Sequence, residues 1–143
     1  MVDVPITPDH AGKAYAPTAP YEVTRGKVAE FAAALGAPLA EGSGPVVAPP
    51  TFGAVVTGPA WDVLFTDPEL ELQLSRVVHA DQQFRYHRPL EPGDVVTATL
   101  SIAKVRVRGT TEIISTSVEV RDAVEQTVLV ADATFVHSRE AAA

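Results

Sequence analysis

Residues able to do chemistry are concentrated in one run, from His79 to Asp94, which reads HADQQFRYHRPLEPGD. On an extended strand, alternate side chains share a face. His79, Asp81 and Gln83 would then point one way and Gln82 the other. An imidazole, a carboxylate and an amide in a row could move a proton or hold a substrate carbonyl. They suit a hydrogen-bonded network at an interface better, because buried polar groups generally find partners. His79 and His87 cannot share a metal ion: eight residues of strand separate them by about 26 Å. The remaining histidines, His10 and His137, lie near the chain ends and are read as solvated. Arg85, Arg88, Arg106 and Arg108 could grip phosphates, but scattered arginines more often balance nearby acids on a solvated sheet face. With no cysteine there is no thiolate nucleophile, thiolate metal site or disulfide framework. The reading assigns no cofactor and no metal.

Bulk properties narrow the partners. The 143 residues suit one domain, taken as 1–143 with loose ends at 1–14 and 139–143. A net charge of −7 argues against nucleic acid or an anionic membrane. No apolar run approaches the ~18 residues of a membrane span, and the first fifteen residues lack the apolar core of a signal peptide. A cytoplasmic globular domain is expected.

The elements that must position these residues follow from pattern. Ten of the twelve prolines precede residue 70, so the front half is irregular. A helix fits 24–35: Thr24 caps it, Val28, Phe31, Ala32 and Leu35 form a stripe, and Gly36 ends it. The apolar stretch 51–65 is too long for a strand and reads as a buried helix that Gly58-Pro59 bends or divides. Thr51 is placed to cap it. The segment 66–74 adds a short helical turn. Four strands follow. The first, within 75–89, ends at the LEPGD turn. The second is 95–107, with Val96, Ala98, Leu100 and Ile102 on one face. The third, 110–120, follows a turn at Gly109, and the fourth, 126–138, a turn at 121–125. The last three form an antiparallel meander that needs one face covered, and only the 51–65 helix is apolar enough to cover it. The fold class is therefore α+β: a long antiparallel sheet wrapped around one apolar helix, the hot-dog architecture.

Between Tyr15 and Ser138 the chain resembles the MaoC-like family of (R)-specific enoyl-thioester hydratases and dehydratases. It is most similar to the N-terminal-type MaoC dehydratase subunits, a group that includes the accessory subunit of the mycolic-acid dehydratase. The resemblance rests on PYEVTRGKVAEFAAALG, on APPTF and, most specifically, on the 79–94 run. It implies the addition or loss of water at a double bond conjugated to a thioester. That reaction needs a base, an acid and a donor for the enolate-like oxygen. Catalytic members supply an Asp and a His spaced D-x-N-P-x-H after the first helix, and a glycine N–H where the central helix begins. Here the first motif is replaced by APLAEGSGP, whose one ionisable group, Glu41, reads as a solvated loop carboxylate. At the helix start stand Pro49 and Pro50, and proline has no N–H.

The resemblance thus implies a subunit with no catalytic residues of its own. It would accommodate an acyl thioester of coenzyme A or acyl carrier protein beside a second hot-dog chain carrying the Asp and His. Substrate contacts are expected from Thr51, Phe52, Val55, Val56 and Trp61 on the helix and from His79 and Gln83 on the strand. Two alternatives stand beside this: a hot-dog thioesterase using Glu41 or Asp62, and a non-enzymatic acyl-thioester-binding homodimer.

Overall fold

A computed structural model describes residues 5–39 and 44–139. Its sheet contains five antiparallel strands: β1 (Tyr21–Glu22), β2 (Val77–Tyr86), β3 (Val95–Arg108), β4 (Thr111–Arg121) and β5 (Thr127–Ser138), in the order β1-β3-β4-β5-β2. Alternation in the sequence fixes which face is covered. Leu100 lies opposite Val118, Val118 opposite Ala131, and Ala131 opposite Phe84, so one row of apolar side chains crosses four strands. Val96, Ala98, Leu100 and Ile102 are all buried, as the period-2 pattern requires. Beyond Ile102 the alternation slips at a bulge before Lys104, which keeps Lys104 exposed and returns Val105 to the core.

The covering layer is helical. Helix α1 (Arg25–Ala34) is capped by Thr24, whose hydroxyl accepts the Lys27 N–H, and ends at Gly36 with φ +75°. Val28 and Ala32 are buried and Phe31 packs edge-on against Phe52, but Leu35, expected in the stripe, is 55% exposed. It is the cap residue that follows the helix rather than part of the helix's packed stripe.

The central helical run is divided where Gly58-Pro59 predicted. A 3-10 turn (Pro50–Phe52) leads into α2 (Gly53–Thr57), a second 3-10 turn (Gly58–Trp61) follows, and α3 (Asp62–Thr66) completes the run. Phe52, Val56, Ala60 and Leu64 recur every four residues and are buried against the sheet. Thr57 is buried too, with its hydroxyl donated to the Gly53 carbonyl. Thr51 does not cap this run. It is exposed and makes no capping bond, because the chain enters through the 3-10 turn rather than through an extended cap residue. The short helical turn expected within 66–74 forms later, as a 3-10 turn at Leu74–Arg76.

Before β1, the chain runs beside β3. Gly12 donates to Ile102, Tyr15 to Leu100 and Thr18 to Ala98, and Ile6 is buried. One edge of the sheet is thereby covered. Among the described residues, no helix is long and apolar enough to cross a membrane.

Candidate functional site

The start of the central helix is where the sequence loses the most chemistry, and its geometry says what replaced it. Residues 46–50 reach the helix as an extended loop anchored by the Ala48 N–H on the Leu90 carbonyl (2.7 Å). Prolines 49 and 50 contribute no N–H. The first helix amide beyond the 3-10 turn, Gly53 N–H, donates to the Tyr86 hydroxyl at 3.1 Å, and that hydroxyl donates to the Pro50 carbonyl at 2.5 Å. Burial holds the phenol above its ordinary pKa, only partly offset by the Gly53 N–H. It therefore stays a neutral O–H, with its donor and one acceptor position used.

Gly53 is required for this closeness. A Cβ there would lie 2.7 Å from the Tyr86 oxygen and 3.0 Å from the Phe84 ring. Tyr86 did not stand out in the sequence, because its place in F-x-Y is ordinary strand alternation.

The strand bearing the 79–94 run departs from simple alternation. His79 pairs with Phe135, but Asp81 pairs with Thr134, so Ala80 is bulged out. Counting back from Tyr86 and Phe84, Gln82 faces the helix with Ala133, and the bulge turns His79 onto that same face. Asp81 and Gln83 lie on the opposite, outer face. The expected sharing of one face by His79, Asp81 and Gln83 is thus overturned by a single extra residue. Gln83 is exposed opposite Asp132 and stands apart from the helix.

The remaining expected contacts are spread along the helix. Phe52 and Val56 are core residues, and Val55 is half-buried. Trp61 packs edge-on against His79 (centroids 4.9 Å) and Phe135 (5.3 Å), with His79 itself 4.9 Å from Phe135. His79 is nonetheless exposed, at the margin of the sheet. Beside it, the Gln82 amide donates to the Asp132 carbonyl at 3.2 Å. The Trp61 indole N–H and Gln82 Oε1 are buried without a partner among the described residues.

The other ionisable groups go into structure. Arg88 forks onto Asp94 (2.8 and 3.1 Å) and reaches Asp122 at 3.4 Å; Arg85 pairs with Asp132 at 2.9 Å. Both are tied to carboxylates, while Arg106 and Arg108 are exposed. Asp62 is exposed beyond the Gly58-Pro59 division, and Glu41 lies outside the described residues. His10 accepts the Thr7 N–H at 2.9 Å in a capping box. His137, expected to be solvated, is buried: its Nε2 accepts the Gln73 N–H at 3.1 Å and its Nδ1 lies 3.0 Å from Glu112. No group of three metal-ligating side chains occurs among the described residues.

The profile of the FAS1-like dehydratase domain region matches residues 9–131. The chain belongs to that family. A UPF0336 protein of Cutibacterium acnes is 47% identical over 115 residues, which cover 79% of this chain and 80% of that protein. Among solved structures, the C-terminally truncated HadBC (3R-hydroxyacyl-ACP dehydratase) complex of Mycobacterium tuberculosis superposes with a TM-score of 0.77 at 24% identity, over 90% of this chain and 97% of that one. A MaoC-like dehydratase of Rhodospirillum rubrum gives 0.68 at 18%, over 92% and 94%. The fold is the MaoC-like hot-dog expected from the sequence.

Proposed function

We propose that this chain is the non-catalytic, acyl-chain-accommodating subunit of an (R)-specific 3-hydroxyacyl-thioester dehydratase or enoyl-thioester hydratase. A second hot-dog chain supplies the Asp and His. The observation that carries this is the closed helix start. Prolines stand at its first positions, and the Tyr86 hydroxyl holds the Gly53 N–H. A donor already bound within the chain cannot stabilise a developing oxyanion without breaking that bond.

Two further observations support the partner. A solved relative in fold, HadBC, is a complex of dehydratase chains. Strand β2 ends the sheet: it pairs with β5 on one side and has no strand on the other among the described residues. Its first half exposes Val78, His79, Ala80 and Asp81. Ten residues of open strand offer a row of backbone donors and acceptors to a neighbouring strand. The acyl thioester would then lie along the pair, against Val55, Trp61 and His79, over the core formed by Phe52 and Val56. The thioesterase alternative loses support because Asp62 faces solvent.

The test is turnover. The purified chain should not hydrate crotonyl-CoA or longer 2-enoyl thioesters. Co-expression with a hot-dog chain containing D-x-N-P-x-H should give a co-purifying pair that does. Full hydratase rates from this chain alone would overturn the reading.

A further inference from the structure

A cavity of about 390 Å³ opens beside the helix start, not along the Trp61–His79 stretch where substrate contacts were expected. Val47, Ala48, Pro50, Tyr86 and Pro89 form most of its wall, and His87 and Arg88 complete it. The volume lies within the ~300–1,000 Å³ range of small-molecule sites. Its ligand preference follows from accounting for the polar groups around it. The prolines have no N–H. The Ala48 N–H is held by Leu90, and the backbone N–H groups of His87 and Arg88 both by Val128. The Pro50 carbonyl and the Gly53 N–H are both engaged by the Tyr86 hydroxyl. The Arg88 guanidinium is committed to Asp94, Asp122 and the Pro89 carbonyl. These groups meet one another's needs; apart from the imidazole of His87, an exposed residue, what the wall offers is mainly proline, alanine, valine and the tyrosine ring.

The geometry points to a hydrocarbon-binding site that takes the chain of an acyl ligand rather than its thioester head, with Tyr86 setting that preference by filling the helix start. The apolar character stands on the cavity itself; that the ligand is an acyl thioester rests on the function proposed above. A thioester carbonyl at the inner end would face a donor already used, whereas methylenes need no partner and gain from leaving water.

The test uses the isolated chain and N-phenyl-1-naphthylamine, an uncharged apolar fluorophore, displaced in turn by decanoyl-CoA, acetyl-CoA and free coenzyme A. Decanoyl-CoA should compete at least about tenfold better than acetyl-CoA, since each buried methylene contributes favourably. Val47 is 51% exposed, so Val47→Asp should fold normally. The charge it sets at the cavity wall should weaken fluorophore binding by about tenfold or more. Tyr86→Phe, which frees the Gly53 N–H and the Pro50 carbonyl, should narrow the gap between acetyl-CoA and decanoyl-CoA.

Equal competition by acetyl-CoA and decanoyl-CoA in the wild type would overturn the proposal. So would no fluorophore binding, or a folded Val47→Asp chain with unchanged affinity. If Tyr86→Phe does not fold, the other measurements still decide. Failure here with an active co-purified pair removes the cavity and leaves the accessory role. Chain-selective binding without any productive hot-dog partner does the reverse.

Discussion

Glu112 and His137 stand opposite one another in register across β4 and β5, with carboxylate and Nδ1 3.0 Å apart and both residues almost wholly buried. Because His137 Nε2 accepts the Gln73 N–H, the imidazole proton sits on Nδ1 and is donated to Glu112. Arg139 closes the group: its Nη2 donates to Glu112 at 3.0 Å, and the guanidinium also holds the carbonyls of Leu70 and Glu71. Three side chains thus fasten the segment leading into β2, including Glu71 at φ +49°. Replacing Glu112 with Ala leaves a buried imidazole N–H without an acceptor. The expected cost is about 2–4 kcal/mol, read by chemical denaturation. A loss below 0.5 kcal/mol, on the scale of a surface substitution, would show the group to be dispensable.

Gly53→Ala should destabilise by about 1–3 kcal/mol, because the added methyl meets the Tyr86 oxygen and the Phe84 ring closer than atoms tolerate. Tyr86→Phe removes the nearer of these obstacles. The cost of Gly53→Ala should therefore be smaller in a Tyr86→Phe background, with a coupling of about 0.5 kcal/mol or more. Additive effects in that double-mutant cycle would mean that the two groups do not meet.

Period-2 alternation made the meander legible: Val96 through Ile102 announce their face, and Gly109 marks the turn. The division of the central helix was equally visible in Gly58-Pro59. The face of His79 was not. A bulge adds one unpaired residue without changing composition, and one residue reverses every side chain beyond it. His137 was misread because nearness to the chain end says nothing about what folds over it; residues 70–73, more than sixty positions earlier, provide the cover. Tyr86 was hidden for a different reason. Its core-facing place in the strand was readable, but its bond to Gly53 joins two distant elements and leaves no local signal.

Asp67 gives a pH-dependent contribution with a definite sign. Desolvation raises its pKa, but hydrogen bonds from Lys13 and Tyr15 outweigh it and hold the carboxyl below its ordinary 3.8. A depressed folded-state pKa stabilises the fold above the unfolded value, and that contribution is lost as pH falls through the folded value. Asp67→Asn should therefore be less stable than wild type at pH 7, and the difference should shrink as pH drops below about 4. Denaturation midpoints of both proteins between pH 7 and pH 2 measure this. A gap that stays constant with pH would place the loss in packing rather than charge.

The open edge of β2 makes the assembly itself testable. Val78 is 65% exposed and lies just before the bulge, so in the isolated chain it has little packing to lose. Val78→Lys should leave the melting temperature of the isolated chain within a few degrees, since exposed sites away from special contacts change stability by only about 0.5 kcal/mol. A lysine on an edge strand opposes strand addition, because its charge must be desolvated when a neighbouring strand arrives. Co-purification with the catalytic hot-dog chain should then fall by about tenfold or more, and hydration activity with it. The same change at Val124, 71% exposed in the turn between β4 and β5 and not on β2, is the control for charge alone. If Val78→Lys assembles like the wild type, β2 is not the edge at which the chains meet.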